Sequence, residues 1–126
     1  MKKIVNSAKA PAAIGPYSQA VKADKFIFVS GQLPINVETG EFSGQDIASQ
    51  TKQSIENIKV ILESEGYSLE DIVKTTVFLD KISDFAPMNA VYGEYFKKDC
   101  PARAAFEVGN LPKSALVEIE AVAYKD

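Results

Sequence analysis

Apolar and polar residues divide this chain into short segments of two different periods. Val73, Thr75, Val77 and Leu79 alternate with polar neighbours, and a period of two predicts a strand over 73–79. Ile47, Thr51, Ile55, Ile58 and Leu62 recur at helical spacing until Gly66, which predicts a helix over 44–65 with Ser43-x-x-Asp46 as its capping signal. Ser83-Asp84 precedes a second helix that turns Phe85, Met88, Tyr92, Tyr95 and Phe96 inward; Pro87 is tolerated because it falls in the unbonded first turn. Upstream, Ile4-Val5 ends a short strand, and 18–23 and 26–30 form a hairpin around Asp24-Lys25. A Gly/Pro-punctuated loop then runs from Gly31 to Phe42. Pro11, Gly15-Pro16 and Pro34 mark irregular segments. The order β-β-β-α-β-α-β-β alternates too irregularly for a doubly wound sheet and reads as α+β.

The segment Pro101–Ala121, PARAAFEVGNLPKSALVEIEA, holds the least expected charges. Ala102, Ala104, Phe106 and Val108 share one face of a strand, with Arg103, Ala105 and Glu107 on the other. In the next strand Ala115, Val117, Ile119 and Ala121 lie opposite Leu116, Glu118, Glu120 and Val122. Gly109-Asn110 and Pro112 supply turn chemistry between them, so the two strands are expected to pair as a hairpin that sets Arg103 opposite Glu120 and Ala105 opposite Glu118.

Two helices of this size cover one face of a five- or six-stranded sheet. The other face would carry Phe26, Phe28, Leu116 and Val122, with charges among them. Self-association would bury such a patch and place Arg103 and the glutamates near a subunit junction, so a homo-oligomer is expected.

The 126 residues, 46% of them hydrophobic and 25% charged, fit a single domain over 1–126. A net charge of −3 with dispersed Lys and Arg does not favour nucleic acid. The N-terminus MKKIVNSAKAPAAIG lacks the apolar run of a signal peptide or membrane span, and the single Cys100 allows no internal disulfide, so no membrane association and residence in the cytoplasm are expected. With no histidine and one cysteine, a zinc site or a Ser-His-Asp triad has no residues to build it. GxGxxG and Walker motifs are missing too. Chemistry is left to carboxylates, hydroxyls, arginine, backbone groups and water, with neither metal nor organic cofactor.

Several motifs in order resemble the Rid/YjgF family, the reactive intermediate deaminases that hydrolyse 2-imino acids to 2-oxo acids and ammonia. They are APAAIGPYSQA at 10–20, FVSGQLPIN at 28–36, DIVKTTVFL at 71–79, MNAVYGEYF at 88–96, PAR at 101–103, and LPK followed by VEIEA at 117–121. The resemblance implies a chorismate-mutase-like α+β fold, a mixed sheet with both helices on one face, assembled as a homotrimer with sites between subunits. It implies that Arg103 holds the substrate carboxylate and that Glu118 orients or protonates at the attacking water. Tyr17, Ser30, Gly31 and Asn89 resemble pocket-lining positions. Ala105 stands where many members have a cysteine; if the backbone carbonyl at 105 contacts the water, alanine preserves that contact and loses thiol chemistry. The implied substrates are 2-imino acids formed from enamines such as 2-aminoacrylate and 2-aminocrotonate, the products of pyridoxal-phosphate-dependent dehydratases. A planar guanidinium grips a carboxylate bidentately, which suits that role.

The same residues admit plainer uses. Arg103 can pair with Glu120 across strands or at an interface, Glu118 can serve an intersubunit hydrogen bond, and Tyr17 and Asn89 can pack or cap. Ser30-Gly31 can end a strand, and Lys52, Glu56, Lys59 and Glu63 form a solvated helix face. A small-carboxylate-binding regulatory module without turnover is the alternative function.

Overall fold

The computed structural model describes all residues, Met1 to Asp126. Its strands are β1 (Lys3–Val5), β2 (Ala20–Ala23), β3 (Phe26–Gln32), β4 (Ile72–Leu79), β5 (Ala102–Glu107) and β6 (Val117–Tyr124), and its helices are α1 (Ile47–Glu63) and α2 (Phe85–Tyr95). They form one six-stranded mixed sheet in the order β1-β2-β3-β6-β4-β5, with β4 and β5 parallel and every other pair antiparallel. The expected order of elements and the α+β class hold.

Alternation in the strands selects the core. Val117, Ile119, Ala121 and Ala123 of β6, Thr75, Val77 and Leu79 of β4, and Ile27 and Val29 of β3 are buried. They meet Ile47, Ile55, Ile58, Ile61 and Leu62 of α1 and Met88 and Tyr92 of α2. Each fully buried aliphatic side chain contributes roughly 1.5–3 kcal/mol, so this layer supplies most of the drive to fold. α1 starts at Ile47, not residue 44, because the cap is Asp46: its Oδ1 accepts the Ser49 N–H at 2.8 Å. Ser43 instead donates to Gln53 Oε1 at 2.6 Å, which ties the preceding loop to the helix. α2 is entered through a 3-10 turn at Ile82–Asp84, and the Asp84 side chain makes no capping bond.

The expected β5–β6 hairpin does not form. β5 instead runs parallel to β4, with Thr75 beside Arg103 and Val77 beside Ala105, and β6 pairs with the other edge of β4, setting Thr76 beside Glu120 and Phe78 beside Glu118. The segment between β5 and β6 crosses the end of β4: Val108 N–H donates to Leu79 O and Asp80 N–H to Leu116 O. Alternation fixes which residues share a face and leaves the partner strand open.

The second face of the sheet has no cover within the chain. Phe26, Phe28 and Phe106 are 41%, 48% and 44% exposed there, with Phe28 and Val122 lining a shallow recess that also holds Lys74 and Glu120. Leu116, just before β6, is half-buried and packs against the core, so it adds less to this surface than expected. No helix is long and apolar enough to cross a membrane.

Candidate functional site

Arg103 occupies the outermost strand. In the parallel ladder it lies beside the buried Thr75, so its side chain rises on the helix-covered face, where α2 meets it. Nη1 donates to Asn89 Oδ1 at 2.7 Å, and the guanidinium carbon stands 4.7 Å from the ring centre of Tyr92 and 5.4 Å from that of Phe85. The ion pairs of the chain are Lys3–Glu65 and Lys25–Asp126, so no carboxylate of its own chain neutralises the exposed Arg103. The remaining N–H groups of its fork make no hydrogen bond within the chain. Ala105, two residues on, is half-buried against the core, and Glu107 is committed elsewhere, its Oε1 accepting the Ile82 N–H at 2.8 Å.

Glu118 stands on the opposite, uncovered face, beside Phe78. It is half-buried. Burial raises its pKa above the ordinary 4.5, and the neighbouring Glu120 carboxylate adds to the rise. The carboxyl lies over Gly31, where the pairing of β3 with β6 slips between Val29 and Gln32. A Cβ built on Gly31 would stand 2.9 Å from Cδ and 3.3 Å from Cγ of Glu118, so only glycine leaves that carboxyl its place. A strand irregularity beside an ionisable group is a usual way to aim a side chain.

Ser30 precedes Gly31 in β3 and anchors the segment that carries Tyr17. Ser30 Oγ donates to Ser18 O at 2.6 Å and Ser30 N–H to Gln19 O at 2.9 Å, which docks the irregular segment 6–19 against β3 and presents Tyr17, 54% exposed, at the surface. The segment is shaped by a residue that sequence patterning overlooks. Gln19 is 3% exposed; its Oε1 accepts the Ser7 N–H at 2.7 Å and its Nε2 donates to Pro11 O at 2.8 Å. Its only sequence signal is a polar residue next to a strand start among prolines, which is common to any loop.

The predicted residues therefore fall into two clusters. Arg103 and Asn89 meet on the helix side with Tyr92 and Phe85; Glu118 lies against Gly31 on the open side, with Ser30 next to it in β3 and Tyr17 on the segment that Ser30 anchors. The expected juxtaposition of Arg103 with Glu120, and of Ala105 with Glu118, is corrected by the same strand order: β4 lies between β5 and β6, and the side chains of Arg103 and Glu120 leave the sheet in opposite directions. Glu56, read as part of a solvated face, accepts a hydrogen bond from Tyr95 Oη at 2.7 Å and joins α1 to α2. Tyr92 is buried, and its hydroxyl shares a 2.7 Å hydrogen bond with Thr75 Oγ1. Burial pushes its phenol above the ordinary value, although Thr75 and Arg103 pull the other way, so it stays neutral at physiological pH.

These features define a small α+β protein with one sheet face uncovered and an uncompensated arginine presented at the sheet edge. The family model described as Endoribonuclease L-PSP matches residues 7–125, and the chain belongs to this family, the Rid/YjgF family. It is 56% identical over 126 residues to a RutC family protein of Pyrococcus horikoshii, covering 100% of both chains. It is 45% identical to the human 2-iminobutanoate/2-iminopropanoate deaminase, covering 98% of this chain and 90% of the human protein. The crystal structure of E. coli TdcF with bound serine is similar at a TM-score of 0.94 and 41% identity, covering 98% of this chain and 99% of that one.

Proposed function

We propose that this protein hydrolyses 2-imino acids, formed from enamines such as 2-aminoacrylate and 2-aminocrotonate, to 2-oxo acids and ammonia. One observation carries the reading: Arg103 is oriented by Asn89 and two aromatic rings and has no acidic partner in its own chain. A fixed cation left without a counter-charge is suited to take an organic anion, and a guanidinium fork matches a carboxylate. The deaminase name of a human relative at 45% identity supports the same chemistry.

The steps need little beyond placement. Arg103 grips the substrate carboxylate and sets the imine carbon in the cleft. Glu118, its proton affinity raised by burial, protonates at the imine side or orients the water that adds to carbon; collapse of the carbinolamine releases ammonia and leaves the 2-oxo acid. Ser30, Gly31 and Tyr17 offer hydroxyl and backbone groups on the Glu118 side. Because Arg103 and Glu118 leave opposite faces of the sheet, the complete site joins the edge of one copy to the open face of another, and a homotrimer is the assembly in this reading. Burying Phe26, Phe28 and Phe106 would drive that contact. The cytoplasm is the compartment in this reading.

Serine bound to the TdcF relative favours a second reading, in which the same pocket holds a small amino acid or carboxylate without turnover. RNA cleavage has less support: the net charge is −3 and no histidine is available as a general base. One experiment separates the readings. A pyridoxal-phosphate-dependent threonine dehydratase supplies the enamine, and 2-oxobutanoate release is followed with and without this protein and its Arg103→Ala variant. Faster release with wild type alone supports deamination. Unchanged release with retained 2-oxobutanoate binding supports the binding module, and acceleration by Arg103→Ala would contradict the anchoring role.

A further inference from the structure

The face of α2 that meets β5 carries Phe85, Asn89 and Tyr92 at i, i+4 and i+7, one stripe of a helix. All three touch the same guanidinium, yet they act on it differently. Asn89 accepts from Nη1 alone, and a single hydrogen bond leaves the plane free to turn about it. The ring faces of Tyr92 at 4.7 Å and Phe85 at 5.4 Å restrict that turning. Tyr92 is itself immobile: it is buried, its ring lies 4.6 Å from that of Phe96, and its hydroxyl is bonded at 2.7 Å to Thr75, the residue beside Arg103 in the ladder.

We infer that Tyr92, backed by Thr75 and extended by Phe85, is a positioning residue that holds the guanidinium of Arg103 in the plane needed to receive a carboxylate. This rests on the reading of Arg103 as the carboxylate anchor. An exposed arginine free to sample its rotamers would lose that freedom on binding, and the loss would weaken the complex. A platform ordered in the empty protein removes much of that cost. Since the carboxylate is gripped alike in ground and transition states, the platform acts on KM and leaves kcat nearly alone.

The test uses the full chain with 15N-labelled arginine, and 2-oxobutanoate as the titrant. Tyr92→Leu is expected to weaken 2-oxobutanoate binding and raise KM by about three- to tenfold, the range of a partly exposed cation–π contact, with kcat changed by less than about twofold. The Arg103 Nε–Hε resonance shifts because the ring current is gone. Tyr92→Phe keeps the ring and loses the hydrogen bond to Thr75: Tm falls while KM stays within about twofold of wild type. Phe85→Leu, at the more exposed ring, gives a smaller shift and a smaller rise in KM, and carries the comparison if Tyr92→Leu does not fold. The inference is overturned if the folded leucine variants bind 2-oxobutanoate as wild type does, with the Arg103 resonance unmoved and only Tm lowered. Failure of the anchor reading looks different, for then 2-oxobutanoate leaves the wild-type Arg103 resonance unperturbed, while the resonance shift on losing the ring still decides whether the platform exists.

Discussion

Arg103 and Glu118 leave opposite faces of one sheet, with β4 between their strands. Each is surrounded by the groups its role requires. Arg103 has an amide and two rings to orient it; Glu118 has a glycine to make room, and burial together with a second carboxylate raises its proton affinity. On the proposed reading a single copy holds two halves of a site, and the uncovered aromatic surface provides a reason for copies to meet.

Gly31→Ala tests the half around Glu118. The added methyl would collide with the carboxyl, which lies at the end of a flexible side chain, so Glu118 swings aside and the fold survives. Misplacement of a reacting group by about 1 Å costs on the order of a hundredfold in rate, and that is the expected fall in kcat for imine hydrolysis. In a Glu118→Gln background the same change should add little, which a double-mutant cycle on kcat reads directly.

The raised pKa of Glu118 makes a signed prediction. In the pH range just above its ordinary 4.5 the folded protein holds a proton on this group that the unfolded chain has released. Stability from this group is therefore fully present below 4.5 and is lost as pH rises through the folded-state value. Glu118→Gln should raise Tm at neutral pH and converge on wild type in acid, as thermal melts across pH will show. If Glu118 donates its proton in catalysis, kcat also declines with rising pH, and the residual rate of the glutamine variant lacks that limb.

Gln19→Ala should loosen the segment that carries Tyr17. Removing the amide leaves the Ser7 N–H and the Pro11 carbonyl without their partner in a largely dry site, a loss of ~1–3 kcal/mol by denaturant unfolding. Faster amide exchange should be confined to the 6–19 segment and its contact with Ser30. Gln19→Glu keeps the acceptor but sets a buried carboxylate oxygen against the Pro11 and Ser7 carbonyls, so it should cost at least as much as alanine at neutral pH and recover in acid.

Period-two patterning identified the buried residues of β6 and, from Thr75 to Leu79, of β4, and helical spacing did so for α1, because burial imposes the same periodicity on sequence and structure; Val73 is the miss, exposed because the ladder to β6 slips between Ile72 and Lys74 and Ile72 takes the buried place. The patterning also exposed the unpaired apolar face. The pairing of β5 was not legible: Gly109-Asn110 and Pro112 suit a hairpin and equally suit a crossing over the end of β4, and nothing local distinguishes them. That single difference moves Arg103 from beside Glu120 to beside Thr75. The residues of the candidate site were legible through the family motifs, whereas Gln19, Tyr92 and Thr75 were not singled out as supports, since each looks like an ordinary loop, core or strand residue until its hydrogen bonds are seen.

Subunit complementation tests the shared site most directly. Arg103→Ala and Glu118→Gln, each strongly impaired alone, are mixed under conditions of subunit exchange, and 2-oxobutanoate release is measured with native mass spectrometry as the control for mixed trimers. Random mixing in a cyclic trimer leaves about one interface in four with both residues intact, so recovery to about a quarter of wild-type activity is expected. Mixed trimers no faster than their parents would contradict a site built from the edge of one copy and the open face of the next.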